Sequence, residues 1–177
     1  MRLFVAIPFS KEALDAAEER ADYVRKNSRR GNFTARENLH LTLAFLGEVD
    51  DPSVVTAALD RVRWNACPIR IGDLGSFPSR GTLTVYAACD GRMPLTSLAA
   101  AVRSALGASG IAFDGKPFTP HLTIVRDSDL PVATIARGMF PPVVFTADRF
   151  VLFESVRLDG RLVYRPLASY PADGAPR

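Results

Sequence analysis

The chain has 177 residues, 47% of them hydrophobic and 23% charged, which suits one substantial core or two small lobes sharing one. No apolar run approaches the roughly 20 residues that cross a bilayer, and the apolar part of the N-terminus is too short for a signal peptide, so a cytoplasmic protein without membrane association is expected. A net charge of +3 permits an anionic ligand without requiring one.

Cys67 and Cys89 stand alone, without metal-type spacing, and are expected to be buried thiols. Basic residues are mostly arginine, with lysine only at positions 11, 26 and 116. In chain order, Leu3 to Ile7 predicts a buried strand closed by Pro8. Ser10 caps a helix over Lys11 to about Asn27, whose apolar stripe is Leu14, Ala17, Ala21 and Val24. The basic exit of that helix, Arg25, Lys26, Arg29 and Arg30, suits the helix dipole and is read as a solvated end, with RNA contact as the alternative.

Gly31-Asn32 is a turn, Phe33 to Ala35 a short extended piece, and a strand then runs from Leu39 to Gly47. Asp50-Asp51-Pro52 starts a helix that ends near Trp64. Ile69 to Leu74 is a strand, residues 75 to 81 a loop or hairpin turn, and Thr82 to Ala88 the antiparallel return. A third helix covers Leu95 to Ala108, and a Gly- and Pro-rich loop leads to a strand from His121. Val132 to Met139 forms a short helix. Val143 to Phe153 is a long strand or bent pair, residues 154 to 160 a loop, and Leu162 to Leu167 the last strand. Residues 171 to 177 are expected to be a disordered tail. The pattern is α+β: a single domain, 1–177, of two small mostly antiparallel sheets with helices outside.

The chain holds two histidines, and each opens the same phrase: His40-Leu41-Thr42-Leu43 and His121-Leu122-Thr123-Ile124. Both alternate like half-buried strands, so His and Thr share one face and the aliphatic residues the other. Two such half-sites facing across a cleft suit in-line displacement at phosphorus. One imidazole takes a proton from the attacking oxygen and the other gives one to the leaving oxygen. The Thr42 and Thr123 hydroxyls are candidates to hold the phosphate oxygens. Neither histidine has the nearby Asp, Glu or Cys of a ligand cluster, so no metal or cofactor is expected. The alternative for a lone His-Leu-Thr is a hydrogen-bonded structural histidine; two copies that use every histidine in the chain favour catalysis.

These motifs resemble the two-histidine (2H) phosphoesterase superfamily, and more closely its RNA 2′,3′-cyclic phosphodiesterases, also known as 2′–5′ RNA ligases. The residues that carry the resemblance are Arg2 to Ile7, Glu37 to Val49, Gly75 to Pro78, Pro117 to Arg126, Leu152 to Ser155 and Tyr164. The resemblance implies a bilobal fold of two pseudo-symmetric lobes around a central cleft. It implies metal-independent opening of an RNA-terminal 2′,3′-cyclic phosphate to a 2′-phosphate, with His40 as general acid toward O3′ and His121 as the base activating water. The near-symmetric motifs alone do not set that direction.

The resemblance also implies that Phe45 and Arg126, each five residues after its histidine, flank the terminal base. Simple alternation places an i+5 residue on the opposite face, where Phe45 would be core, and Arg126 could instead bind phosphate. The partner expected is single-stranded RNA or a tRNA fragment ending in a cyclic phosphate, met by a monomer. The alternatives are a phosphodiesterase for small cyclic nucleotides or 2′–5′ linkages, reverse 2′–5′ ligation, and a non-catalytic module that binds RNA ends.

Overall fold

Strand β1 (Arg2–Pro8) is apolar from Leu3 to Ile7 because it lies between two other strands. It pairs antiparallel with β3 (His40–Glu48) on one side and with β8 (Arg149–Leu158) on the other. β8 returns as β9 (Arg161–Pro171) through Asp159 and Gly160, whose φ values of 49° and 77° are both positive. That two-residue turn matches the twist of paired strands, and Asp-Gly is well suited to it. These four strands form one half of the sheet, in the order β3-β1-β8-β9.

The other half is β7-β4-β5-β6, comprising β4 (Cys67–Ser79), β5 (Thr82–Asp90), β6 (His121–Ser128) and β7 (Val143–Ala147). A two-residue strand, β2 (Asn32–Phe33), adds to β6 opposite Arg126 and Val125. Leu41 of β3 pairs with Leu122 of β6, and this contact joins the halves into one antiparallel sheet. The expected α+β architecture is present, with its two small sheets continuous through that pair.

Helix α1 (Lys11–Asn27) starts at Ser10, whose hydroxyl accepts from the Ala13 amide at 3.3 Å, and packs on β4, β6 and β7. Its Arg20 is wholly buried and donates to three carbonyls, those of Ala16, Gly72 and Pro141. Helix α2 (Pro52–Leu59) is capped by Asp51 and packs on α3 (Arg92–Ala108), which covers β3 and β4. The last helix is α4 (Val132–Arg137).

The computed structural model describes residues 1–174. Within it, several expectations change, among them the loop over residues 154 to 160, where β8 stays paired with β9 through Leu158 up to the Asp159-Gly160 turn. β4 runs through the segment read as a loop, because residues 75 to 79 pair with β5 up to the Arg80-Gly81 turn. α2 stops at Leu59, where the amides of Arg61 and Val62 bond three residues back in tighter turns. The tail is also anchored further than expected. The Ala172 amide donates to Asp148 O at 2.8 Å, the Asp173 amide donates to Trp64 O at 2.8 Å, and Ala172 is buried. Residues 175–177 of the expected disordered tail lie outside the described residues. Among the described residues, no helix is long and apolar enough to cross a membrane.

Candidate active site

The two histidine strands share a local irregularity that decides which side chains meet. Along β1, Ala6 pairs with Thr42 but Val5 pairs with Ala44, so Leu43 is an extra residue. Along β5, Tyr86 pairs with Thr123 but Val85 pairs with Val125, so Ile124 is an extra residue. Each is a β-bulge three positions after its histidine. A bulge breaks the two-residue alternation, and the residue five after the histidine returns to the histidine's face. The burial pattern shows it: Leu43 and Ala44 are buried in succession before half-buried Phe45, and Ile124 and Val125 before exposed Arg126.

Both bulges are held from outside the strand. Arg103 of α3 donates from Nε to the Leu43 carbonyl at 3.0 Å. The Thr34 amide donates to the Ile124 carbonyl at 2.9 Å. Carbonyls taken out of the sheet ladder are thus satisfied.

Each histidine is oriented in the same way. Nδ1–H of His40 donates to the carbonyl of Asn38, and Nδ1–H of His121 to the carbonyl of Thr119, both at 2.7 Å. A carbonyl can only accept, so Nδ1 carries the proton and Nε2 is left with its lone pair. Around Nε2 the two differ, since the Thr42 hydroxyl lies 3.1 Å from that of His40.

A cleft of about 660 Å³ opens beside β3. Its walls include Arg2, His40, Thr42, Phe45 and Arg126, with Ser155 to Arg157 and Tyr164 opposite. His121 and Thr123 are not part of that wall; they stand on β6, on either side of Leu122. The Leu41–Leu122 register brings them alongside, because one residue further in either direction sets His40 toward Thr123 and Thr42 toward His121. Phe45 lies in the cleft, and the Arg2 guanidinium sits 5.0 Å from its ring centre. A larger cavity of about 960 Å³, between the end of α2 and the end of β9, holds neither histidine. Among the described residues no three His, Cys, Asp or Glu side chains gather as metal donors.

The 2′-5′ RNA ligase superfamily model matches residues 13–159. The chain belongs to this superfamily. It is similar to the protein named RNA 2′,3′-cyclic phosphodiesterase from Thermotoga maritima, 29% identical over 98% of this chain and 97% of that one. It is 32% identical to the protein of the same name from Escherichia coli, over 77% of each chain. Among solved structures, that of E. coli LigT complexed with 3′-AMP superposes with a TM-score of 0.78 at 28% identity, covering 97% of this chain and 98% of that one.

In this member of the 2′-5′ RNA ligase superfamily, burial depresses both imidazoles. His40 is pushed down to about 4, chiefly by desolvation, with the charges of Arg126 and His121 acting the same way against the Asn38 hydrogen bond. His40 keeps an opening to the cleft, yet Phe4 and Tyr164 ring it at 4.8 and 5.1 Å between centroids. His121 is also lowered, first by desolvation and then by Arg126. Arg126 therefore acts electrostatically on both histidines.

Several residues at this site lie in the stretches that carry the resemblance but have no site role assigned from the sequence. Asn38 is buried, and its side-chain amide donates to the Leu162 carbonyl at 2.8 Å while its own carbonyl orients His40. Its position two before the histidine repeats at Thr119, and that spacing is the one signal that could have revealed it. Arg2, Phe4 and Tyr164 come from the two ends of the chain, and no spacing connects them to His40.

Proposed function

We propose that this protein hydrolyses the terminal 2′,3′-cyclic phosphate of RNA to a 2′-phosphate without a metal. The names of its relatives support the substrate class. The repeated orientation of two imidazoles, each with Nδ1 tied to the carbonyl two residues before it and Nε2 turned to the reaction, carries the mechanism. Water attacks phosphorus as Nε2 of His121 takes its proton. The P–O3′ bond breaks, and O3′ leaves with the proton from Nε2 of His40. Thr42 and Thr123 donate to the non-bridging oxygens as charge grows there. Phe45 and Arg126 flank the terminal base, with Arg2 backing the Phe45 ring.

His40 begins neutral in the unliganded protein. Its role as acid requires that the anionic phosphate charge it. The same burial that lowers His40 in the empty cleft strengthens its attraction to a bound phosphate, because the local dielectric is low. With the 5′-hydroxyl of a second RNA in place of water, the same transfers make a 2′–5′ diester: His121 takes the hydroxyl proton as the P–O5′ bond forms, and O3′ leaves with the proton from His40, so 2′–5′ ligation is a side reaction of this scheme. The chain acts in this scheme as a cytoplasmic monomer, its two half-sheets serving as lobes of one domain.

The test is an RNA oligonucleotide ending in a 2′,3′-cyclic phosphate, incubated with the protein in EDTA. A 2′-phosphate product is expected. A 3′-phosphate would reverse the assigned orientation of the substrate, and no reaction would refute the scheme. The 3′-AMP held by E. coli LigT favours a second reading, a phosphodiesterase for small cyclic nucleotides, which nucleoside 2′,3′-cyclic phosphates test in the same assay.

A further inference from the structure

His121 is less restrained by hydrogen bonds than His40. The Thr42 hydroxyl sits at Nε2 of His40, whereas among the described residues His121 has only the Nδ1 bond to Thr119. One hydrogen bond leaves the imidazole plane free to tilt about its Cβ–Cγ axis, so packing must set its angle.

That packing comes from two aromatic rings on β4 and β5. Tyr86 pairs with Thr123, two residues along from His121, and with Gly75 on its other side. Phe77 stacks on Tyr86 with ring centres 4.4 Å apart and planes 27° apart. Both rings meet His121 at steep angles, Phe77 at 5.1 Å and 81°, Tyr86 at 5.4 Å and 61°. Edge-to-face contacts of this kind favour a defined mutual angle. Gly75 makes the arrangement possible, because a Cβ there would lie 2.6 Å from both Cζ and Oη of Tyr86. The ring lies across bare backbone, and any side chain at position 75 would displace it.

We propose that Tyr86 and Phe77, seated on Gly75, are positioning residues that hold the His121 imidazole at the angle its proton transfer needs. This rests on the reading above that His121 moves a proton. Small angular errors at a proton-transferring group carry large rate costs. Removing the ring should therefore act on kcat, with the hydroxyl of Tyr86 contributing little.

The experiment compares Tyr86→Ala, Tyr86→Phe and His121→Ala with the wild-type protein, on a cyclic-phosphate oligonucleotide and by proton NMR. The chain has two histidines, so the two sets of ring resonances are assigned by the His→Ala variants. Tyr86→Ala is expected to lower kcat by about 10-fold or more with KM within about 2-fold. It should also shift the His121 resonances and titration midpoint while those of His40 stay in place. Tyr86→Phe should restore both.

Should Tyr86→Ala fail to fold, Gly75→Ala and Phe77→Leu disturb the same pair from β4 and are read in the same way. Wild-type kcat and an unmoved His121 titration in the Tyr86 or Gly75 variants overturn the proposal, as does a Tyr86→Phe protein as impaired as Tyr86→Ala. Activity surviving in His121→Ala removes the role of His121 itself. An inactive His121→Ala beside an unaffected Tyr86→Ala removes only the positioning role.

Discussion

Leu41 and Leu122 face each other as antiparallel partners at the middle of the sheet, and both are wholly buried. They occupy the same place in the two His-Leu-Thr phrases. Pairing them sends both histidines and both threonines to the opposite face, alternately placed across the two strands. The arrangement that the proposed chemistry needs thus follows from one strand register.

Removing either imidazole tests that arrangement directly. His40→Ala and His121→Ala are each expected to lose at least ~10²-fold in turnover, the usual scale for a positioned acid or base. Neither loss should depend on added metal, and EDTA should leave the wild-type rate unchanged. Steady-state kinetics on the cyclic-phosphate oligonucleotide checks this, and a variant retaining near-normal turnover contradicts the paired-imidazole mechanism.

Ligand binding should take up a proton. In the empty cleft burial pushes His40 down to about 4 and His121 below its ordinary value. A phosphate anion between them favours the imidazolium forms, so both values rise on binding. Calorimetry of phosphate binding at about pH 6, near the ordinary histidine value, in buffers of different ionisation enthalpy should show a buffer-dependent heat. An identical heat in every buffer counts against it.

The same sign orders the pH profiles. In the free protein, protonated His40 declines as pH rises past about 4, and neutral His121 declines as pH falls, so kcat/KM peaks on the acid side of neutrality. With substrate bound the values are raised, and the kcat maximum lies at higher pH than the kcat/KM maximum. The limbs belong to the interacting pair and not to either ring alone. Coincident maxima, or a flat profile, would contradict this ordering.

Arg126 lowers both histidines through its charge. Arg126→Ala should therefore move both titration midpoints upward, which proton NMR reads directly, and should raise KM by about 10-fold through the lost base or phosphate contact. Arg126→Lys keeps the charge but loses the planar guanidinium. It should retain the low midpoints and still bind weakly. Unchanged midpoints in Arg126→Ala would place the guanidinium away from both rings in solution.

Asn38 links β9 to the orientation of His40. Asn38→Ala removes the bond to the Leu162 carbonyl and leaves that acceptor without its partner, costing about 1–2 kcal/mol of stability. Chemical denaturation measures the loss. Turnover should fall by more than the loss of folded protein accounts for, because the carbonyl that fixes the His40 tautomer moves with residue 38.

The histidine phrases were legible because they are repeats of side-chain types, and the α+β order was legible because strand and helix periodicities differ. The common face of His40, Thr42 and Phe45 was not legible. It depends on the Leu43 bulge, and a bulge is a mismatch between two strands, absent from either one read alone. The continuation of β4 through Phe77 and Pro78 was hidden for a related reason. Gly75 and Pro78 are turn-forming residues by composition, and only pairing with β5 keeps them extended. Tyr164 and Phe4 reach His40 from opposite ends of the chain, and sequence distance conceals that contact.

The strand order has a consequence for how the molecule is made. β1 is made before the other strands described here, yet one of its two neighbours is β8, with Leu3 opposite Glu154 and Ala6 opposite Val151. During translation β1 has β3 along one edge and an unpaired edge along the other until β8 has emerged. Loop closure over such a separation is slow, and exposed apolar strand edges invite association with other chains. The half-sheet carrying His40 is consequently completed only once β8 and β9 have been made. Truncation before residue 151 should give a chain that aggregates, even though both histidines are already in place.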